Sequence, residues 1–188
     1  APDHAAGTLA VAVMGAGHSA RLNQEVRIRR GLSYGVSGRV EQQRLNGLFI
    51  AAAQTEHVHA AEVAGLMQSQ LLGLAQQPVA LAELAARRAA LIGEFARQLD
   101  TTSGMVARLG EDWALGGVPG HLARWPQRLD AVSPVQVRAF AQRHWTPERL
   151  RTVIVGPMDR VFAATALPPG AVRLEAASLV LDSPALRR

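Results

Sequence analysis

Arg27 and Tyr34 are the two residues whose types and spacing point most directly to chemistry. They lie seven positions apart in the stretch Leu22–Gly35, LNQEVRIRRGLSYG, and Tyr34 is the only tyrosine in the chain. The stretch predicts a short amphipathic helix that ends at Gly31 and a strand that begins directly after it. Guanidinium and phenol groups both donate hydrogen bonds. A reversal that brings the two together would make a clamp for a carbonyl oxygen or a developing oxyanion.

The same spacing has a simpler interpretation, which spacing alone favours: a solvated arginine on a helix and a tyrosine half-buried in a strand. Other nucleophilic or phosphate-binding patterns are weaker. The chain has no cysteine and no Gly-Xaa-Ser-Xaa-Gly motif. Residues Gly15–Ala20 faintly resemble a phosphate loop, but they lack its last glycine and its lysine and follow a predicted helix instead of a strand. We interpret them as a loop between helices.

Histidines offer no convincing metal site. A catalytic zinc needs about three nitrogen or oxygen ligands, and neither His-Glu-Xaa-Xaa-His nor His-Xaa-Xaa-Glu-His occurs among the six histidines. The closest grouping is His57, His59 and Glu62. At the start of a helix, His57 and His59 would point to different faces. We therefore predict no metal ligands and no cofactor site in this chain.

Composition narrows the class of protein. The 188 residues, 48% of them hydrophobic, suit one globular domain. The net charge is +5, and all twenty basic residues are arginines. They are scattered except for the run Arg27, Arg29 and Arg30, and aromatic residues for base stacking are few, so we predict no nucleic-acid partner. No apolar run is long enough to span a bilayer, so we predict no membrane partner. The absence of cysteine leaves the compartment undecided.

Hydrophobic periodicity and capping residues predict the secondary structure. The predicted helices are about Pro2–Met14, Ala20–Arg30 capped by Ser19, Thr55–Leu74 capped by Thr55, Leu81–Leu99, Gly104–Leu115, and one that starts with a capping box at Ser133 and ends at His144. The predicted strands are Tyr34–Glu41 and Leu48–Gln54, which form a hairpin around the turn Gln42–Asn46, a buried strand Leu150–Val155, and an edge strand Val172–Ala176. A surface loop is predicted over Gly116–Pro126 and a further turn over Val161–Thr165.

This order of elements predicts an α+β fold, with an antiparallel-rich sheet and helices packed on one face. The two long helices Thr55–Leu74 and Leu81–Leu99 are expected to form a helical hairpin. We expect a single domain over residues 1–182 and a mobile tail over residues 183–188.

The segment that carries Arg27 and Tyr34 also resembles a known family. Residues 22–34 are similar to the segment Leu-Asn/Phe-Gln-Glu-Leu/Val-Arg-Glu-Lys-Arg-Gly-Leu-Ala-Tyr of the insulinase (pitrilysin-type) zinc peptidases, where it belongs to the second, non-catalytic domain. Here too a glycine loop precedes it, and a strand and two long helices follow. Residues 133–157, SPVQVRAFAQRHWTPERLRTVIVGP, resemble the family's closing helix, Pro-Glu turn and strand ending in Gly-Pro.

The resemblance, which covers roughly residues 3–157, implies a role for the pair. In the family an Arg and a Tyr at this separation hold substrate carbonyls and support the tetrahedral intermediate, and they correspond to Arg27 and Tyr34. The zinc ligands of the family's first domain correspond to nothing here. The resemblance therefore implies a non-catalytic wall of a peptide-binding chamber, inactive alone, whose peptide substrate meets a zinc held by a homologous domain or subunit.

The sequence departs from the family at several positions. His18 stands where Phe or Met is usual, Ala20 where Ser is usual, and Ile28 where an acidic residue is usual. The strand expected before the first helix is missing, and we expect the open sheet edge to be capped by self-pairing into a homo-oligomer or by another strand. Some family members keep the fold as a structural or assembly subunit, which is the alternative function. The resemblance suggests a bacterial protein and a periplasmic location.

Overall fold

A computed structural model describes residues 3–42, 47–118, 120–162, 168 and 170–175. Two strands and eight helices are found in the described part of the chain. The strands are β1 (Val36–Gln42) and β2 (Gly47–Ala53). The helices are α1 (His4–Gly15), α2 (Arg21–Asn23, continued by a π-helical turn over Gln24–Arg29), α3 (Ala60–Gln76), α4 (Leu81–Leu99), α5 (Thr102–Ala114), α6 (Trp125–Asp130), α7 (Pro134–His144) and α8 (Met158–Val161). Two 3₁₀ turns, His57–His59 and Leu122–Arg124, precede α3 and α6.

Helix α1 lies at the centre of the structure. Its small apolar residues are buried almost throughout, and it packs against α2, α4, α6, α7 and β1. Glycines permit the closest approaches: a Cβ on Gly15 would lie 2.4 Å from the Cα of Gly38 in β1, and one on Gly7 would lie 2.7 Å from the ring of Phe140 in α7. The sequence of α1 therefore fixes both the sheet and the closing helix against the core.

The predicted hairpin is confirmed. Strands β1 and β2 pair antiparallel, with Val36 opposite Ala53 and Gln42 opposite Gly47. The turn residues 43–46 lie outside the described residues. With its helix-rich core and this antiparallel pair, the chain has the predicted α+β class.

Two predicted helix caps are wrong, for a shared reason. The Ser19 hydroxyl accepts a hydrogen bond from Arg87 in α4 at 2.9 Å, and the N-cap of α2 is Ala20, which has no side chain that can cap it. The Thr55 hydroxyl donates to the Leu32 carbonyl, so α3 starts after a 3₁₀ turn. In both cases a partner distant in sequence takes the hydroxyl, and for buried Arg87 the cost of an unpartnered guanidinium explains the preference. The predicted cap at Ser133 is confirmed, since its side chain forms the full capping box with Gln136.

The predicted buried strand Leu150–Val155 is also wrong. The segment forms no ladder with another described strand, and Val155 is 92% exposed. Only Leu150 packs on the core, and Thr152 accepts a hydrogen bond from Gln68 of α3. A β-branched run becomes a strand only when a neighbouring strand supplies its hydrogen bonds, and no such neighbour lies among the described residues.

The remaining differences are smaller. Helices α3 and α4 follow one another, but α3 packs mainly on α7, and α4 mainly on α1 and α5, so the helical hairpin is loose. The predicted surface loop Gly116–Pro126 contains a 3₁₀ turn and the start of α6. Residues 172–175 form no strand, whereas Ala176 and the tail 183–188 lie outside the described residues. Among the described helices, none combines the length and the apolarity that crossing a bilayer requires.

A pH dependence of stability is predicted from the first residue of α1. Burial, together with the positive charges of groups that include Arg128 and Arg108, lowers the pKa of His4 to about 4. Its ring lies 5.0 Å from that of Trp125. Because the folded pKa is below that of the unfolded chain, this stabilisation is complete above about pH 6.5 and is lost as the pH falls to about 4. The free energy of unfolding should fall by at most about 3 kcal/mol over this range. Because His4 is partly solvated, we expect a fall of roughly 1–2 kcal/mol.

Urea unfolding between pH 7 and pH 4 measures this effect. His4→Phe keeps an aromatic ring beside Trp125 but cannot titrate, so we expect a shallower decline of unfolding free energy with acid. His57→Gln, a change at an exposed histidine, is the control and keeps the wild-type decline. A His4→Phe curve parallel to the wild-type curve would contradict the assignment.

Candidate functional site

The reversal between Arg27 and Tyr34 is a helix end closed by a glycine in the left-handed conformation, the αL motif. Gly31 has a φ of 64°, as its predicted role at the helix end requires. Its N–H donates to the carbonyl of Arg27 at 3.0 Å, and the N–H of Leu32 donates to the carbonyl of Val26 at 2.9 Å. These two bonds close a helix in a defined geometry. Leu32 packs against the core beside buried Val26, so the direction of the chain after Gly31 is fixed.

The loop that carries Tyr34 is tied to the end of β2. The Ser33 hydroxyl donates to the carbonyl of Gln54 at 2.7 Å and accepts from the N–H of Gly35 at 3.2 Å. The Thr55 hydroxyl donates to the carbonyl of Leu32. Ser33 is only 8% exposed. Side-chain hydrogen bonds on either side of Tyr34 therefore hold its backbone in place.

Tyr34 projects from this anchored loop into solvent. Its side chain is 96% exposed, and no described residue forms a hydrogen bond with its hydroxyl. The prediction that Tyr34 begins the strand is wrong, because β1 begins at Val36 and Tyr34 lies in a bend. The bend arises because Ser33 bonds across it to Gly35 and Gln54 instead of letting the ladder extend. The phenol is therefore available to an external acceptor.

Arg27 lies on the other side of the reversal, within the π-helical turn Gln24–Arg29. A regular helix was expected here, and the observed turn is of a kind that is rare and frequently found at functional sites. One guanidinium nitrogen of Arg27, Nη1, lies 3.1 Å from Nδ1 of His18. Arg27 and Tyr34 thus flank one turn at Gly31, and neither donor is taken by a carboxylate of the described residues.

The other arginines of this run are neutralised. Glu25 accepts from Arg29 at 3.0 Å and from Arg30 at 2.9 Å, and Arg30 also lies 3.4 Å from Glu62 of α3. The hydrogen bond from Arg30, with that from Arg29, holds the pKa of the Glu25 carboxyl below its usual range. The run is therefore a local ion-pair network, and Arg27 differs from its neighbours in having an imidazole as its partner.

The histidines do not form a zinc site in the described part of the chain. His57 and His59 lie in the 3₁₀ turn before α3, and Nδ1 of His59 is 3.8 Å from a carboxylate oxygen of Glu62, an ion-pair separation. No group of three His, Cys, Asp or Glu side chains among the described residues could hold a metal ion. Among the described residues, the histidines therefore do not fit a zinc ion.

Three contributors to the site carried no recognisable signal in the sequence. Ser33 and Thr55 anchor the Tyr34 loop through carbonyls that are neighbours only in the fold. Arg87, from α4, binds the Ser19 hydroxyl and carbonyl and so holds the loop that bears His18. His18 differs from the usual family residue in the sequence. Its contact with Arg27, however, depends on the conformation of that loop, which the sequence does not reveal.

Replacing Ser33 with alanine tests the anchoring of the Tyr34 loop. The change leaves the Gln54 carbonyl without its side-chain donor, and we expect a loss of about 1–2 kcal/mol in unfolding free energy. Amide hydrogen exchange at Gly35 should accelerate locally. Ser37→Ala, at an exposed position of β1, is the matched control, with a change of less than about 0.5 kcal/mol. Equal effects of the two substitutions would show that Ser33 is not an anchor.

Comparisons with known proteins agree with the resemblance. Residues 1–91 match the family described as the peptidase M16 inactive domain. Uncharacterized zinc proteases of Mycobacterium tuberculosis and Mycobacterium bovis are 27% identical over 144 residues, which is 77% of this chain and 33% of each relative. The chain therefore spans about a third of the length of these curated relatives.

Solved structures show the same fold. A peptidase M16 inactive domain from Pseudomonas fluorescens is 25% identical, with a TM-score of 0.70 over 77% of this chain and 34% of that chain. An inactive peptidase domain from Bordetella parapertussis is 19% identical, with a TM-score of 0.69 over 79% of this chain and 81% of that one. The family description implies that zinc is not held in this chain. In the sequence of its first 91 residues and in its fold, the chain is similar to the inactive domain of the M16 zinc proteases.

Proposed function

We propose that this domain forms one wall of a peptide-binding chamber and presents Arg27 and Tyr34 to a carbonyl of the bound peptide. The metal would be held by another domain or subunit, since the residues described here do not fit it. In this arrangement the chain does not cleave peptides by itself. It completes a site whose other half lies elsewhere.

The exposure of Tyr34 is the observation that carries this proposal. A tyrosine that is 96% exposed contributes little to packing, yet hydrogen bonds from Ser33 and Thr55 fix the loop beneath it. An anchored backbone that presents an unpartnered phenol suits a binding role, because little conformational freedom remains to be lost when an acceptor arrives. Arg27, on the other side of the same turn, supplies a second donor that cannot be deprotonated.

Two such donors suit an oxygen on which negative charge develops. Hydrogen-bond donors aimed at an oxyanion stabilise a transition state more than the ground state, and the effect grows when water is excluded. Closure of a chamber around the peptide would exclude water from Arg27 and Tyr34. The β1–β2 hairpin could also add an extended peptide to one of its edges, a mode in which backbone hydrogen bonds give affinity.

A structural or assembly subunit is the second candidate function. It is favoured by the exposed Val153 and Val155, which lie in a segment that pairs with no described strand and so suits pairing with a strand of a partner. A scaffold, however, has no use for an anchored and exposed phenol. The state of Tyr34 therefore favours the peptidase role.

A mixing experiment tests the proposal. The chain, a zinc-bearing M16 domain, and the two together are each incubated with a quenched fluorescent peptide library. We expect cleavage by the mixture to exceed that of either component by at least tenfold, and chelation to abolish it. A mixture no more active than the zinc-bearing domain alone would contradict the peptidase role and leave the scaffold role standing.

A further inference from the structure

His18 is placed to control the side chain of Arg27. It lies on the exposed loop between α1 and α2, and its backbone carbonyl accepts a hydrogen bond from the Gln24 side chain at 2.9 Å. From this fixed position its Nδ1 lies 3.1 Å from Nη1 of Arg27. Arg87 of α4 holds the neighbouring Ser19 through hydroxyl and carbonyl. The backbone of the loop is thus held at His18 and at Ser19.

The contact defines the protonation state of the ring. A guanidinium carries donors and no acceptor, so Nδ1 of His18 must accept the bond from Arg27. The ring is therefore neutral, with its proton on Nε2. A second proton would occupy Nδ1, remove the acceptor and place an imidazolium beside the guanidinium. Histidine is the side chain that most readily changes charge between pH 5 and pH 8.

Asn23 carries a second hydrogen-bond acceptor that could serve Nδ1 of His18. Asn23 is only 4% exposed; its Nδ2 lies 3.5 Å from Nδ1 of His18, and its Oδ1 is buried without a hydrogen-bond partner. If the amide turned over, Oδ1 would face Nδ1 and could accept from a protonated ring. Asn23 makes no other side-chain hydrogen bond within the described part of the chain, so this exchange replaces one bond with another.

We propose that His18 is a positioning residue for Arg27, holding the guanidinium while its ring is neutral and releasing it on protonation, when the ring donates to Asn23 instead. The proposal deepens the role proposed for Arg27 and rests on it. It makes the donor geometry of the site dependent on pH, with the substrate-binding arrangement formed at neutral and alkaline pH and loosened in acid.

The charged groups around His18 do not provide it with a competing carboxylate among the described residues. Glu25 is bonded to Arg29 and Arg30, and Glu83 of α4 is bonded to Arg21 at 2.7 Å. The other charged groups on elements that pack against α2 and its π-helical turn are Arg87 on α4, the Arg39–Glu41 pair on β1, and Glu62 on α3, which is bonded to Arg30. Among the described residues, the hydrogen-bond partners of the His18 ring are therefore Arg27 and Asn23.

Nitrogen NMR of the chain alone tests this inference without any partner. Between pH 5 and pH 8.5 we follow the ring nitrogens of His18 and the Nη–H signals of Arg27, whose Nη1 makes the contact. At high pH we expect the Nε2–H tautomer. Relative to the intrinsic, base-catalysed rate, exchange of the Arg27 Nη–H protons should become about fivefold faster in acid, since about one net hydrogen bond is lost, and the midpoint of this change should coincide with that of His18.

Variants separate the contact from general effects of pH. His18→Phe should abolish the acid-dependent change at Arg27, whereas His59→Gln should leave it intact. Asn23→Leu removes the amide oxygen that would accept from the protonated ring. The midpoint common to His18 and Arg27 should therefore move to lower pH. If Asn23→Leu perturbs the fold, the His18→Phe comparison decides alone, since that ring is exposed. An Nδ1–H tautomer at high pH, or an Arg27 transition that ignores the His18 midpoint, overturns the inference. Neither of these results affects the outcome of the mixing experiment. If the mixing experiment fails, the titration of His18 and Arg27 can still be measured on the chain alone.

Discussion

Replacing Tyr34 with phenylalanine is expected to lower kcat of the reconstituted pair by about a hundred- to a thousandfold, the typical effect of removing one oxyanion donor. The substitution deletes only a hydroxyl that has no partner among the described residues and leaves the anchored loop intact. Because the donor acts most strongly on the transition state, KM should change far less than kcat. Steady-state cleavage of a fluorogenic peptide gives both constants.

The control for Tyr34→Phe is another exposed aromatic side chain. Trp113 on α5 is 80% exposed, and Trp113→Phe should leave kcat within about twofold of the wild type. Thermal unfolding of Tyr34→Phe should also match the wild type, since a largely solvated hydroxyl contributes little to stability. A Tyr34→Phe protein with wild-type kcat would remove the chemical role and favour the scaffold function.

The largest expected effect on stability is that of Gly15→Ala, at the end of the central helix. The added Cβ would lie 2.4 Å from the Cα of Gly38, so backbone must move against backbone to admit it. Overpacking of this kind costs about 3 kcal/mol. For a chain of this size, the melting temperature should fall by roughly 6–12 °C. Calorimetry or circular dichroism measures the fall directly.

Gly65→Ala is the matched control, with an expected effect of opposite sign. Gly65 lies within α3, and a Cβ there would meet no atom within 4 Å. Alanine should stabilise this helix by about 0.5–1 kcal/mol through its better helix propensity. If both substitutions stabilised the protein, α1 and β1 would not pack as closely as the structure shows.

Local signals in the sequence predicted the elements whose causes are local. Helix α4 has the predicted bounds Leu81–Leu99, Ser133 makes its capping box, and Gly31 takes the left-handed conformation that ends a helix. Each depends on residues within a few positions of one another. Such features require no knowledge of the rest of the fold.

The predictions that failed depend on partners distant in the chain. Ser19 and Thr55 were expected to cap helices, but Arg87 and the Leu32 carbonyl engage them instead. The segment 150–155 has the composition of a strand but lacks a neighbouring strand among the described residues. A hydrogen-bond partner that lies dozens of residues away leaves no mark on local periodicity.

The candidate site also combines features with local causes and features that depend on partners distant in the chain. The turn at Gly31 was predictable, so Arg27 and Tyr34 were expected to flank a reversal, as they do. The π-helical turn, the anchoring by Ser33 and the contact between His18 and Arg27 were not predictable. They arise from how a loop, a helix end and a strand end meet.

A double-mutant cycle on kcat/KM tests most directly whether Arg27 and Tyr34 form one functional unit. The wild type, Arg27→Gln, Tyr34→Phe and the double variant are each assayed with a zinc-bearing partner. If both donors bind one oxygen, each single change lowers kcat/KM, and the double change costs less than the two combined, with a coupling of about 1 kcal/mol or more. Wild-type turnover in both single variants, or strictly independent effects, would contradict the shared site.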